Sequence, residues 1–138
     1  MIFAIIDTNV IVSALLAKNR SASIPFQVLS EALVGDVVPI VSEEIMTEYI
    51  EVLQRPRFKF DPRRIKILID DLNKRAMFVQ VPDLVTLVPD QDDACFYNAL
   101  LTTSSLGSVL ITGNRKHFPE SASIFTPTEF YNKFIRKD

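Results

Sequence analysis

The sequence predicts an α/β protein, a three-layer α/β/α arrangement around a central, mainly parallel sheet of four to five strands. Three observations carry this. Short apolar runs rich in β-branched residues recur along the chain, stretches of helical periodicity separate them, and helix-start signals fall between the two. Strands alternating with helices imply right-handed βαβ crossovers and a sheet covered on both faces.

IFAII at 2–6 is the first such run, short and uncharged, as expected of a strand buried on both faces. VVPIV at 37–41, MFVQV at 77–81 and SVLIT at 108–112 resemble it, and IFT at 124–126 is a weaker fifth. Helical stretches fill the gaps at 9–17, 23–34, 43–54, 62–75 and 92–105. Asp61 before Pro62 and Thr126 before Pro127 read as N-caps with proline at the first helical position, and Thr126 with Glu129 forms a capping box for a last helix. No repeat, low-complexity tract or linker interrupts the chain, so residues 1–138 are expected to form a single domain.

Bulk composition narrows the function classes. Apolar residues make up 48% of the 138 residues and charged residues 23%, the composition of a globular protein with an ordinary core. The formal charge of -2 gives no global attraction to nucleic acid, so an anionic partner must meet a local basic patch. The lone Cys95 forms no internal disulfide, no signal peptide is recognised, and no run approaches the length of a membrane span. A cytoplasmic protein with no membrane association is expected. Gly35, Gly107 and Gly113 are the only glycines, which excludes the glycine-rich turns of dinucleotide-binding and P-loop proteins.

The first strand ends on a carboxylate, in MIFAIIDTNV. In an open parallel sheet the functional crevice lies beyond the carboxyl ends of the strands. Asp7 is at such an end, although by itself it is equally well explained as the N-cap of the helix that follows. Asp93 opens the stripe that Phe96, Tyr97 and Leu100 make on one helix face, so it is expected to point inward, whereas Asp92 and Asp90 suit the solvated first turn and its dipole. In SEEIMTEYIEVL, at ~100° per residue, Glu48 lies about 40° from Val52 and about 60° from Ile45, on the border of the buried stripe; Glu44 and Glu51 turn further into solvent. The fourth strand ends in ITGNRKHFP, which brings Thr112 and Asn114 to the same edge. Asn114 suits a Gly-Asn turn or, through its amide oxygen, a hard cation.

Three carboxylates and an amide without a cysteine or histidine cluster make a hard-oxygen set, suited to Mg²⁺ or Mn²⁺ rather than zinc or copper. The chemistry implied is phosphodiester hydrolysis by activated water, with no protein nucleophile.

DTNVIVSALL, SEEIMTEYIEVLQRPRF, DQDDACFYNAL and ITGNRKHFP resemble, in order and spacing, the PIN domain, in particular the small single-domain proteins classed as toxins of toxin-antitoxin pairs. The resemblance covers nearly the whole chain. It implies a metal-dependent endoribonuclease that binds Mg²⁺ or Mn²⁺ through Asp7, Glu48 and Asp93, with Asp92 the rival for the third place and Asn114 standing where many PIN domains have an aspartate. RNA is then the substrate, with Thr112, Arg115 and Lys116 placed to contact it, an antitoxin protein a further partner, and a homodimer the expected assembly. The alternative is a PIN-like module that binds RNA or protein without cutting, which Asn114 favours. QRPRFKFDPRRIK at 54–66 holds six basic residues and one acid with Phe58 and Phe60 interleaved; it serves equally as an RNA-holding segment or a solvated connection. His117 is expected to make a structural hydrogen bond, and Cys95 is assigned no role.

Overall fold

The computed structural model describes residues 1–82, 88 and 91–136. Five strands, β1 (Ile2–Ile6), β2 (Val37–Val41), β3 (Met77–Phe78), β4 (Val109–Ile111) and β5 (Ile124–Phe125), form one sheet of order β3-β2-β1-β4-β5 in which every pairing is parallel. Among the described residues six α-helices flank it: α1 (Thr8–Leu16), α2 (Ile24–Val34), α3 (Glu43–Leu53), α4 (Pro62–Arg75), α5 (Gln91–Thr102) and α6 (Pro127–Phe130). The expected three-layer α/β/α fold is therefore present, with five strands, all parallel, among the described residues.

The central strand β1 owes its place to its side chains: Ala4, Ile5 and Ile6 are all buried, and only strands covered on both faces tolerate such a run. Each large side chain so buried contributes about 1.5–3 kcal/mol. The helix starts expected at Asp61 and Thr126 are present, and Ser42 caps a further one. Ser42 accepts from the Ile45 N–H at 3.2 Å, Asp61 accepts from the Arg63 N–H at 2.9 Å, and the Thr126–Glu129 capping box is formed in both directions. At the other end of the sheet Arg75, the last residue of α4, donates to the carbonyls of Ala32, Gly35 and Val37, closing the end of α2 against the start of β2.

Boundaries differ from expectation mostly at the strands. The run 77–81 yields a strand of only Met77–Phe78, because β3 is an edge strand that pairs with β2 alone; beyond it one backbone bond, Val79 N–H to Val41 O at 2.9 Å, prolongs the ladder. The helix expected over 92–105 ends at Thr102 and is followed by a separate 3₁₀ turn at Ser104–Leu106, closed by Gly107 in the left-handed region at φ 67°. The last helix passes into a π-helix at Tyr131–Ile135. Asp90, considered above for the helix dipole, lies outside the described residues.

The sheet order positions the site. From β1 the chain moves to β2 and β3 on one side, then returns to β4 and β5 on the other, so the crevice opens between the carboxyl ends of β1 and β4.

Candidate active site

Asp7 follows the last residue of β1, and its N–H donates to Ile111 O of β4 at 2.9 Å. It occupies the N-cap position of α1, yet its side chain makes no cap hydrogen bond. The capping role that sequence alone left open is thus not taken. Its carboxylate turns sideways instead, accepting from the Thr112 hydroxyl at 2.7 Å and, more weakly, from Asn9 Nδ2 at 3.3 Å.

Those two donors belong to a small network that locks the crevice. The Thr112 hydroxyl also accepts from the Asn114 N–H at 3.0 Å, and Asn9 Oδ1 accepts from the Gly113 N–H at 3.0 Å. A Cβ at position 113 would lie 3.3 Å from Asn9 Oδ1, tighter than ordinary contact, so glycine allows this approach. Asn9 was not singled out from sequence; its place directly after the strand-ending Asp-Thr pair was the available signal.

Asp7 is only 5% exposed. Burial pushes its pKa up from 3.8 to about 6, the negative charge of Asp93 adds to the rise, and the Thr112 hydrogen bond opposes it. The nearby Asn9 and Thr8 N–H groups oppose it further without completing a cap bond. A buried carboxylate repelled by a second one is a site that a cation would stabilise.

The acids fall into two groups. Asp93, half-buried on α5, acts on Asp7 and sits with Oδ2 3.3 Å from His117 Nδ1. That contact is an ion-pair distance and not a hydrogen bond, so it is not the structural hydrogen bond expected of His117. Glu48 and Asp92 share an open cleft of about 700 Å³ together with Glu43, Glu44, Glu51 and Arg55. Glu48 is half-buried while Glu43, Glu44 and Glu51 are exposed, as its helix bearing implied. Its pKa is raised by burial first, then by Asp92 and Glu51, with a smaller contribution from Asp7; Arg55 opposes the rise. Asp92, read from sequence as a dipole acid, therefore faces Glu48, and a helical-wheel bearing does not reveal which neighbouring helix an exposed acid meets.

Tyr49 joins these groups. Its buried hydroxyl donates to the Ile6 carbonyl immediately before Asp7, and its ring lies 6.2 Å from that of Phe96 on α5. Burial holds the phenol pKa well above 10, so it remains a neutral donor. The side chain next to Glu48 thus pins α3 to β1 and to α5. Sequence analysis did not single out Tyr49 as this link.

The expected substrate contacts divide. Thr112 is fully buried, with its hydroxyl committed to Asp7 and the Asn114 N–H, which puts it behind the carboxylate and away from solvent. Arg115 Nη1 is engaged by both Glu129 oxygens, at 3.0 and 2.7 Å. Lys116 is exposed and makes no ion pair among the described residues. Asn114 is exposed with φ -126°, so it does not use the left-handed turn conformation, and its side chain makes no hydrogen bond among the described residues. The Cys95 thiol, pushed up to about 12 by burial and by Glu48 and Glu44, stays protonated.

Asp7, Asp93, Glu48 and Asp92 supply hard oxygen donors. Among the described residues no three of Asp, Glu, His and Cys are gathered closely enough to enclose a metal ion. The donor set suits a cation that keeps several waters, the habit of Mg²⁺. Comparison with curated proteins finds no match. The family model of the PIN domain matches residues 4–116, a span that holds Asp7, Glu48, Asp93, Thr112 and Asn114, and such domains are generally nucleases that bind divalent metal ions. With that match over most of its length, and with acids at the strand-end crevice of an all-parallel sheet, the chain belongs to the PIN-domain family.

Proposed function

We propose that the protein is a metal-dependent endoribonuclease that hydrolyses RNA phosphodiester bonds with Mg²⁺ or Mn²⁺, and that it acts as the toxin of a toxin-antitoxin pair in the cytoplasm. The observation that carries the nuclease reading is the buried Asp7, disfavoured as an anion by burial and by Asp93 yet oriented by Thr112 and Asn9. Such a carboxylate is held in place by its neighbours and would be stabilised as an anion by a bound cation. Asp93 and Glu48 would complete the cation's protein donors, directly or through water.

When bound, the cation lowers the pKa of water and neutralises charge gathering on the phosphate. The chain does the positioning: Thr112 fixes the Asp7 oxygen, Tyr49 holds β1, α3 and α5 in register, and Asn114 and Lys116 stand exposed at the rim. The water oxygen bonds to phosphorus as the bond to one ribose oxygen breaks, and that oxygen takes up a proton.

A toxin role implies an antitoxin protein as partner, and a homodimer is proposed from the same resemblance. Among the described residues no helix is long and apolar enough to cross a membrane. One observation favours the second reading, a PIN module that binds without cutting: the exposed residue at 114 is an amide and not an acid. Cleavage of a mixed RNA pool with Mg²⁺ or Mn²⁺, by wild type and Asp7→Asn with EDTA controls, separates the two. The nuclease reading expects a roughly 30- to 1000-fold loss in Asp7→Asn, the range for removing one electrostatic contact worth about 2–4 kcal/mol. Equal cutting by both proteins refutes the site.

A further inference from the structure

An RNA strand carries a charge on every phosphate, yet the cleft beside Glu48 is lined by acids, with Arg55 its single basic residue among the described residues. The net charge of -2 adds no long-range attraction. A polyanionic substrate therefore needs a cationic foothold outside the acidic cleft. We infer that the connection from α3 to α4 and the groove beside it form that foothold, a platform for single-stranded RNA; the inference rests on the ribonuclease reading above.

The basic residues of this connection are of two kinds. Arg55, Arg63 and Lys66 are paired to Glu51, Asp61 and Asp70 at 2.8, 3.7 and 3.2 Å. Arg57, Lys59 and Arg64 are exposed and make no ion pair among the described residues. The free cations are interleaved with aromatic rings. Phe58 and Phe60 stack with centroids 5.5 Å apart and planes 14° from parallel, and the Arg57 guanidinium lies 4.8 Å over the Phe58 ring.

This stack depends on unusual backbone. Side chains two apart on an extended chain share a face but stand about 7 Å apart, too far to stack. Lys59 between them adopts φ 56°, the only positive φ at a non-glycine among the described residues, and that turn draws the two rings together. A lysine held in the left-handed region is costly and points to a purpose for the turn.

Phe60, Lys59 and Arg64 then line a groove of about 580 Å³ with Arg20 and Phe26 of the neighbouring segment, where the Arg20 guanidinium stands 5.3 Å over the Phe26 ring. Leu29 and Leu68 add apolar lining. Asp61 and Asp71 also border the groove, but Asp61 is taken up in capping α4 and in the Arg63 pair. Aromatic walls with cations beside them match an unpaired base with its phosphate, whereas a duplex keeps its bases stacked inside. The platform begins with Arg57, four residues beyond the end of α3, and Glu48 to Leu53 spans about 7.5 Å of helix. One strand can reach from platform to acidic cleft.

The test is fluorescence anisotropy of a labelled, mixed-sequence single-stranded RNA of about ten nucleotides, in EDTA so that nothing is cut. The wild type should bind. Phe58→Leu, which keeps the apolar volume, should weaken binding about 5- to 100-fold for all sequences alike, the range for losing one base-stacking contact. Arg57→Gln with Arg64→Gln, both exposed, should reduce the slope of log K against log salt by about 1.4, or about 0.7 per cation removed. Asp7→Asn should still bind RNA while losing cleavage. Wild type that fails to bind in EDTA, Phe58→Leu that binds as tightly as wild type, or an unchanged salt slope when Arg57 and Arg64 are both replaced by Gln overturns the platform. Wild type that binds through the platform but does not cut with Mn²⁺ refutes the nuclease reading and leaves the platform standing.

Discussion

Asp7→Asn should make the metal-free protein more stable at neutral pH. The wild-type carboxyl titrates near 6 in the fold and near 3.8 when unfolded. Below pH 3.8 both states hold the proton and the site costs nothing. Between 3.8 and about 6 the unfolded chain releases its proton while the folded chain keeps it, so stability falls as pH rises, and above 6 the loss is complete. A gap of about 2 pH units corresponds to about 3 kcal/mol at 1.36 kcal/mol each. Asparagine keeps the shape and can still accept from Thr112, so most of that loss should be relieved. Urea unfolding of both proteins in EDTA from pH 4 to pH 8 measures it. The two should be nearly equal at pH 4, and Asp7→Asn should be ahead by about 1–3 kcal/mol at pH 7.5, on the order of 5–10 °C in Tm. Manganese at 1,000 times its Kd should reverse the order, since it stabilises only the protein that binds it, by about 4.1 kcal/mol. A variant less stable than wild type at pH 7.5 in EDTA would refute the claim that burial and Asp93 strain this carboxylate.

Thr112→Val removes the hydrogen bond that lowers the Asp7 pKa, so Asp7 should titrate higher still and calorimetry at pH 7 should show Mn²⁺ affinity reduced by about 10- to 100-fold, as for other groups that orient a metal ligand; unchanged affinity would contradict the positioning role. Tyr49→Phe leaves the buried Ile6 carbonyl without its donor and should cost about 1–3 kcal/mol in urea unfolding, a result that an equally stable variant would overturn. Asn114→Asp adds a carboxylate at the exposed rim and should hold or raise Mn²⁺-dependent RNA cleavage; cleavage by this variant alone would make the natural protein the non-cutting module. Light scattering at high concentration should return the mass of a dimer, and a monomer throughout would end that proposal.

Much of this architecture is legible without coordinates, where the determinants are local. The uncharged run 2–6 becomes a strand because no other element buries consecutive β-branched residues so well, and Asp61 and Thr126 start helices through bonds reaching only two or three residues ahead. The half-burial of Glu48 among exposed glutamates follows from helix geometry in the same way. Tertiary structure decided the rest, because the partners lie far apart in the chain. Thr112 reaches Asp7 across 105 residues only because β4 pairs beside β1, and that adjacency turned an expected substrate contact into the buried support of a carboxylate. Arg115 is drawn to Glu129 by the packing of the segment after β5, and Asp92 meets Glu48 because α5 docks on α3. Periodicity tells which side of its own element a residue takes; the charge or hydroxyl waiting there is set by the order in which strands assemble into the sheet.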